Sequence, residues 1–87
     1  MTIDLKHYQH QLRKLVALPS VSCAVAQWDM SNQAVIEQLA NDFSDLGFNT
    51  RILPLAQTGK ANLIATLGQG EGGLVLAGHS DTVPYDA

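Results

Sequence analysis

The 87 residues include 5 Lys and Arg against 8 Asp and Glu, 3 His and a single Cys, for a net charge of −3. A chain of this length holds one small domain, which buries roughly 60–65% of its unfolded surface, so its core is thin. At 46% hydrophobic and 15% charged residues it is too apolar for disorder. The acidic balance offers no footprint for nucleic acid or an anionic membrane, and one cysteine cannot close an internal disulfide. The opening MTIDLKHYQH has no signal core, and no apolar run approaches the roughly 18 residues that span a bilayer. The expectation is a soluble, cytoplasmic chain.

Leu5, Tyr8, Leu12, Leu15 and Val16 recur at three- and four-residue steps, which predicts a helix over residues 3–18. Thr2 or Asp4 can cap its start and Pro19 stops it. Residues 19–28 hold no period and read as loop. A second helix is predicted from Asp29 or Ser31 to Leu46, with Val35, Ile36, Leu39, Ala40, Phe43 and Leu46 as its apolar stripe. Trp28 and Asp29 before it read as a hydrophobic staple and an N-cap. Gly47 suits the left-handed position that ends a helix, and Phe48 the apolar contact beside such a cap.

Three strands are predicted next. The first, 48–55, contains Pro54, which cannot donate to a ladder and suits an edge. Residues 56–60 turn around Gly59, and strands at 61–67 and 74–77 follow. Their apolar runs lack alternation, which predicts strands covered on both faces. The pattern is α/β, and two helices are too few to cover both faces of a wide sheet.

Gly68-Gln69-Gly70-Glu71-Gly72-Gly73 fits G-x-G-x-x-G letter by letter, but it leads into a predicted strand where a dinucleotide site needs a helix N-terminus. It reads as a flexible connection. Cys23 has no local base or cation to make a thiolate and reads as structural. His7 and His10 lie off the apolar stripe, with only Asp4 as a weak third partner, and read as solvated.

The informative stretch is LVLAGHSDTVPYD, residues 74–86. If the extended backbone continues beyond residue 77, His79 and Asp81 project to one face at the carboxyl end of a strand, where open α/β sheets place their ligands. A neutral imidazole is a good zinc ligand, and a carboxylate can accept from its second nitrogen and fix the tautomer. Gly78 would allow close backbone approach, and Pro84 turns the chain out of the sheet. The structural alternative is equally plain. A lone H-x-D is common; Asp81 could cap a turn while His79 satisfies a buried carbonyl, and spacing alone favours that reading by a modest margin. Zinc needs three or four ligands, so the residues by themselves reach no further than half of a metal site.

The string GHSDTVPYD after LVLA resembles the first metal-binding motif of the M20 metallopeptidase family, di-zinc amidohydrolases and peptidases with an aminopeptidase-like α/β/α catalytic domain. LPSVS, WDMSNQAVIEQLANDFSDLGFN and ANLIATLGQGEGG precede it in the order such enzymes show, so the resemblance covers the whole chain. The D-x-SN start of the second helix, the DLGFN junction and the wording HSDTVPYD narrow it to the branch that hydrolyses N2-acetyl-L-ornithine to acetate and ornithine in arginine biosynthesis. The resemblance implies that His79 is a zinc ligand and that Asp81 is the catalytic-site carboxylate that orients it. It also implies two zinc ions, with cobalt as the alternative, a bridging water, a glutamate that takes its proton, and a homodimer for the complete enzyme.

Glu37 and Glu71 are the only glutamates present, and neither matches the family's base. Residues 1–87 are therefore expected to be the N-terminal portion of the catalytic domain, without the dimerisation domain, inactive alone, weak in zinc binding and prone to self-association through open sheet edges. Other readings are a different M20 deacylase, such as one acting on succinyl-diaminopimelate or acetylcitrulline, or a small α/β interaction module without enzymatic activity.

Overall fold

The computed structural model describes residues 4–84. Helix α1 spans Leu5–Val16 and helix α2 spans Gln33–Asp45; strands β1, Asn49–Pro54, and β2, Ala61–Thr66, follow. The chain is α/β, as expected, with a two-stranded antiparallel sheet among the described residues.

Asp4 caps α1, its carboxylate accepting from the amides of Lys6 at 3.0 Å and His7 at 3.4 Å. The alternative cap, Thr2, and the helix start at Ile3 lie outside the described residues. The stripe of α1 is divided. Leu15 packs against the core, as does Leu18 beyond the helix, whereas Leu5, Tyr8, Leu12 and Val16 stay exposed and no residue of the helix is buried. A Lys14–Asp42 ion pair of 3.2 Å joins α1 to α2; being half-exposed, it contributes about 0–1 kcal/mol.

Helix α2 starts later than its sequence implies, because the polar residues before it have other partners. The side chain of Asn32 forms two hydrogen bonds with the backbone of Ala61, Nδ2 donating to the carbonyl at 2.8 Å and Oδ1 accepting from the amide at 2.9 Å. This docks the helix N-terminus on the first residue of β2 and leaves Asn32 no side-chain cap bond. Ser31 Oγ accepts from the Gln33 amide at 3.1 Å and donates to the Gly59 carbonyl at 2.6 Å. Asp29 is not the N-cap: its carboxylate points to the Cys23 amide and to Lys60.

The end of α2 follows the expectation closely. Gly47 takes φ +93°; its amide donates to Ser44 and that of Phe48 to Phe43, both at 3.0 Å. These are the paired bonds of a Schellman cap. The rings of Phe43 and Phe48 meet edge to face with centroids 5.1 Å apart, the apolar contact that accompanies such a cap.

Strands β1 and β2 pair from Asn49 opposite Thr66 to Pro54 opposite Ala61, and the Leu55 amide closes the hairpin on the Lys60 carbonyl at 2.9 Å. Two expectations need correction. Strand β2 alternates, with Ala61, Leu63 and Ala65 covered while Asn62, Ile64 and Thr66 are exposed, so α2 covers one face of the sheet and the other remains open. The third strand, 74–77, is not formed. Leu74, Val75 and Leu76 are 85–87% exposed, and no backbone hydrogen bond ties them to the hairpin. An apolar run is only a strand when an edge lies beside it to complete the ladder.

The core is correspondingly small: Val35, Ile36 and Ala61, with Leu15, Leu18, Leu39 and Leu63 packed around them.

Candidate metal-binding site

The pairing expected of residues 74–77 is found a few residues later. Val21 and Thr82 form a parallel bridge: the Thr82 amide donates to the Ser20 carbonyl at 3.1 Å and the Ser22 amide to the Thr82 carbonyl at 2.9 Å. Ser20 Oγ donates to the Ser80 carbonyl at 2.8 Å. The loop after α1 is therefore the rail on which the His79-Ser80-Asp81 segment is mounted.

On that rail His79 and Asp81 meet as their spacing predicts. His79 Nδ1 lies 2.8 Å from Asp81 Oδ1 and 3.2 Å from the Asp81 carbonyl. A carboxylate and a carbonyl both accept, so Nδ1 carries a proton, and in the neutral form of the ring that tautomer leaves the lone pair on Nε2. Both side chains are open to solvent, at 82% and 54% exposure. His79 thus meets the exposed carbonyl and carboxylate of Asp81, and Asp81 is engaged with the imidazole.

A tethered imidazole with a free Nε2 has the donor chemistry of a zinc ligand. It is also alone: among the described residues no group of three or more His, Cys, Asp or Glu gathers. His7 and His10 are exposed on α1. Cys23 is a half-buried free thiol. Gly78 makes no close approach, as an added Cβ would meet nothing within 4 Å. The loop 68–73 leads into chain that forms neither helix nor strand, and Gly68, Gly70, Gly72 and Gly73 all take positive φ. The last residues of the motif, Tyr85 and Asp86, lie outside the described residues.

A second polar centre escaped the sequence reading. Asp29 accepts from the Cys23 amide at 2.9 Å, from Lys60 Nζ at 3.0 Å and from Gln57 Nε2 at 3.3 Å, while Lys60 Nζ also donates to the Met30 carbonyl. It ties the loop before α2 to the β1–β2 turn. The Cys23 amide first, and then Lys60, hold its carboxyl below the usual carboxylate range. A carboxyl depressed on folding stabilises the fold above its unfolded pKa of about 3.9, and that contribution disappears as pH falls through the lower folded value. Asp29→Asn is therefore expected to lower the melting temperature at pH 7, and the gap from the unaltered chain is expected to close below about pH 4. Thermal melts from pH 7 to 2 measure it; a constant gap would contradict the assignment.

No family model matches the chain. Individual relatives do. It is 51% identical over 87 residues to the acetylornithine deacetylase of Proteus mirabilis, covering 99% of this chain and 22% of the relative. It is 53% identical over 84 residues to that of Vibrio vulnificus, covering 97% and 22%. It is 46% identical over 87 residues to that of Photorhabdus laumondii, covering 99% and 23%. The chain thus spans about a fifth of the length of these curated relatives. Along nearly all of its own length it is similar to one part of bacterial acetylornithine deacetylases.

Proposed function

We propose that these residues form part of a metal-dependent amidohydrolase that hydrolyses N2-acetyl-L-ornithine to acetate and ornithine, with zinc as the metal. His79 is the ligand this segment contributes, through Nε2, and Asp81 fixes its tautomer. The observation that carries the reading is the 2.8 Å contact between His79 Nδ1 and Asp81 Oδ1, in a chain about half identical to acetylornithine deacetylases over nearly its whole length. A divalent metal supplies Lewis acidity at such a site and lowers the pKa of water to about 7. The role of this chain is narrower: to present one aligned lone pair on a backbone held by Ser20 and Ser22. The further ligands and the general base come from residues outside these 87, so the segment alone is inactive.

The test is ornithine release from N2-acetyl-L-ornithine by the full product of the gene, reconstituted with Zn²⁺, beside its His79→Ala variant and the 87-residue chain. Turnover by the full product alone is the expected result, with the other two at the buffer blank. A full product without turnover overturns the deacetylase reading. Turnover by the 87-residue chain above its own His79→Ala variant overturns the inference that the site is shared with other residues.

A further inference from the structure

Ser20 is the buried polar residue among those described, at 6% exposure. A buried hydroxyl is costly unless it is paired, and this one donates to the Ser80 carbonyl at 2.8 Å. The carbonyl of the same residue accepts from the Thr82 amide at 3.1 Å. Ser80 C=O and Thr82 N–H belong to the two peptide groups on either side of Asp81. Ser20 therefore grips both, and the orientations of those two planes set φ and ψ of Asp81.

The second of these peptides is held from its other side as well. Its carbonyl, that of Asp81, lies 3.2 Å from His79 Nδ1, while its N–H, that of Thr82, donates to Ser20. The carboxylate that leaves the same Cα meets the same Nδ1 at 2.8 Å. Rotation of either plane would move both acceptors off the imidazole. The His79 side chain is 82% exposed, and among the described residues its ring hydrogen bonds are those to Asp81.

We propose that Ser20, 59 residues upstream of His79, is a positioning residue for the His79–Asp81 pair, fixing the backbone of Asp81 so that His79 Nδ1 keeps its proton and Nε2 is presented as a donor. Its chemical meaning rests on the reading of His79 as a metal ligand, but its first test needs no metal. The neighbouring rail bonds have a different reach: Ser22 N–H joins the Thr82 carbonyl, beyond the peptides that flank Asp81.

The experiment is a long-range ¹H–¹⁵N correlation of the imidazoles in the metal-free 87-residue chain at about pH 8, where an ordinary imidazole is neutral. His7 and His10, both exposed on α1, give the pattern of untethered rings in the same spectrum. In the unaltered chain His79 is expected as the Nδ1–H tautomer, with the Thr82 amide protected from exchange. Ser20→Ala is expected to move His79 to the His7 and His10 pattern, and Ser20→Thr, which restores the hydroxyl, to keep it. A His79 pattern unchanged in Ser20→Ala, with the β1–β2 amide signals in place, overturns the proposal. If Ser20→Ala unfolds the chain, a folded Ser20→Thr whose His79 looks like His7 overturns it, as does an unprotected Thr82 amide in the unaltered chain. Zn²⁺ titration then separates the two inferences. Affinity about tenfold lower in Ser20→Ala is expected; zinc that leaves His79 Nε2 unmoved in the unaltered chain overturns the metal reading and leaves the tautomer result standing.

Discussion

Replacing Ile36 with Ala is expected to remove close to half of the stability of this chain. Ile36 is 6% exposed and sits with Val35 and Ala61 at the centre of the core, with Leu15, Leu18, Leu39 and Leu63 packed around them. Truncation of a buried Ile costs about 2–5 kcal/mol, from lost transfer energy and from the cavity left behind. Here the lower half of that range applies, because among the described residues no side chain is completely enclosed and the site can collapse. Small domains hold about 0.05–0.15 kcal/mol per residue, and a chain whose first helix buries nothing belongs at the low end. A loss of about 2 kcal/mol lowers the melting temperature by roughly 8–16 °C at the usual 4–8 °C per kcal/mol for domains of this size.

Leu12→Ala is the companion measurement. Leu12 lies on the same periodic stripe as Leu15 but is 48% exposed, so its truncation is expected to stay within about 0.5 kcal/mol. A shift under about 4 °C for Ile36→Ala, or equal shifts for the two variants, would mean that the core is not where the packing puts it.

That contrast shows which features could be read from the residues. Features carried by local chemistry were legible. Gly47 ends α2 because the turn needs positive φ; Asp4 caps α1; the hairpin turns around Gly59; and His79 meets Asp81 because side chains two apart on an extended backbone share a face. Features that depend on distant partners were not. The stripe of α1 shows period without showing which half of it is covered. The run at 74–77 has the composition of a buried strand, yet composition does not supply the edge it would pair with. Asp29 looks like a cap, and only the fold reveals that Lys60, 31 residues on, takes its side chain, as Ala61, 29 residues on, takes that of Asn32. Ser20 was hardest to find: within LPSVS it reads as one more small loop residue, and its meaning depends on Ser80 and Thr82 coming to lie beside it.

Asp81→Asn is expected to separate the two members of the site. The carboxylate and backbone carbonyl of Asp81 both accept from His79 Nδ1, at 2.8 and 3.2 Å. An amide keeps the shape but offers one acceptor atom and one donor, and carries no charge. With its donor turned to the ring it favours the proton on Nε2, the nitrogen that must be free to bind a metal. Loss of such an outer partner costs about 10–100-fold in metal affinity, where removal of a ligand abolishes the site. Zinc affinity of the full gene product, measured against a chelator competitor, is therefore expected to fall 10–100-fold in Asp81→Asn and to be lost in His79→Ala. Equal loss in both variants would make Asp81 itself a ligand, and unchanged affinity in Asp81→Asn would make the 2.8 Å contact incidental. The graded outcome is the one expected from the proposed roles, because the side-chain contact of Asp81 is with the imidazole Nδ1.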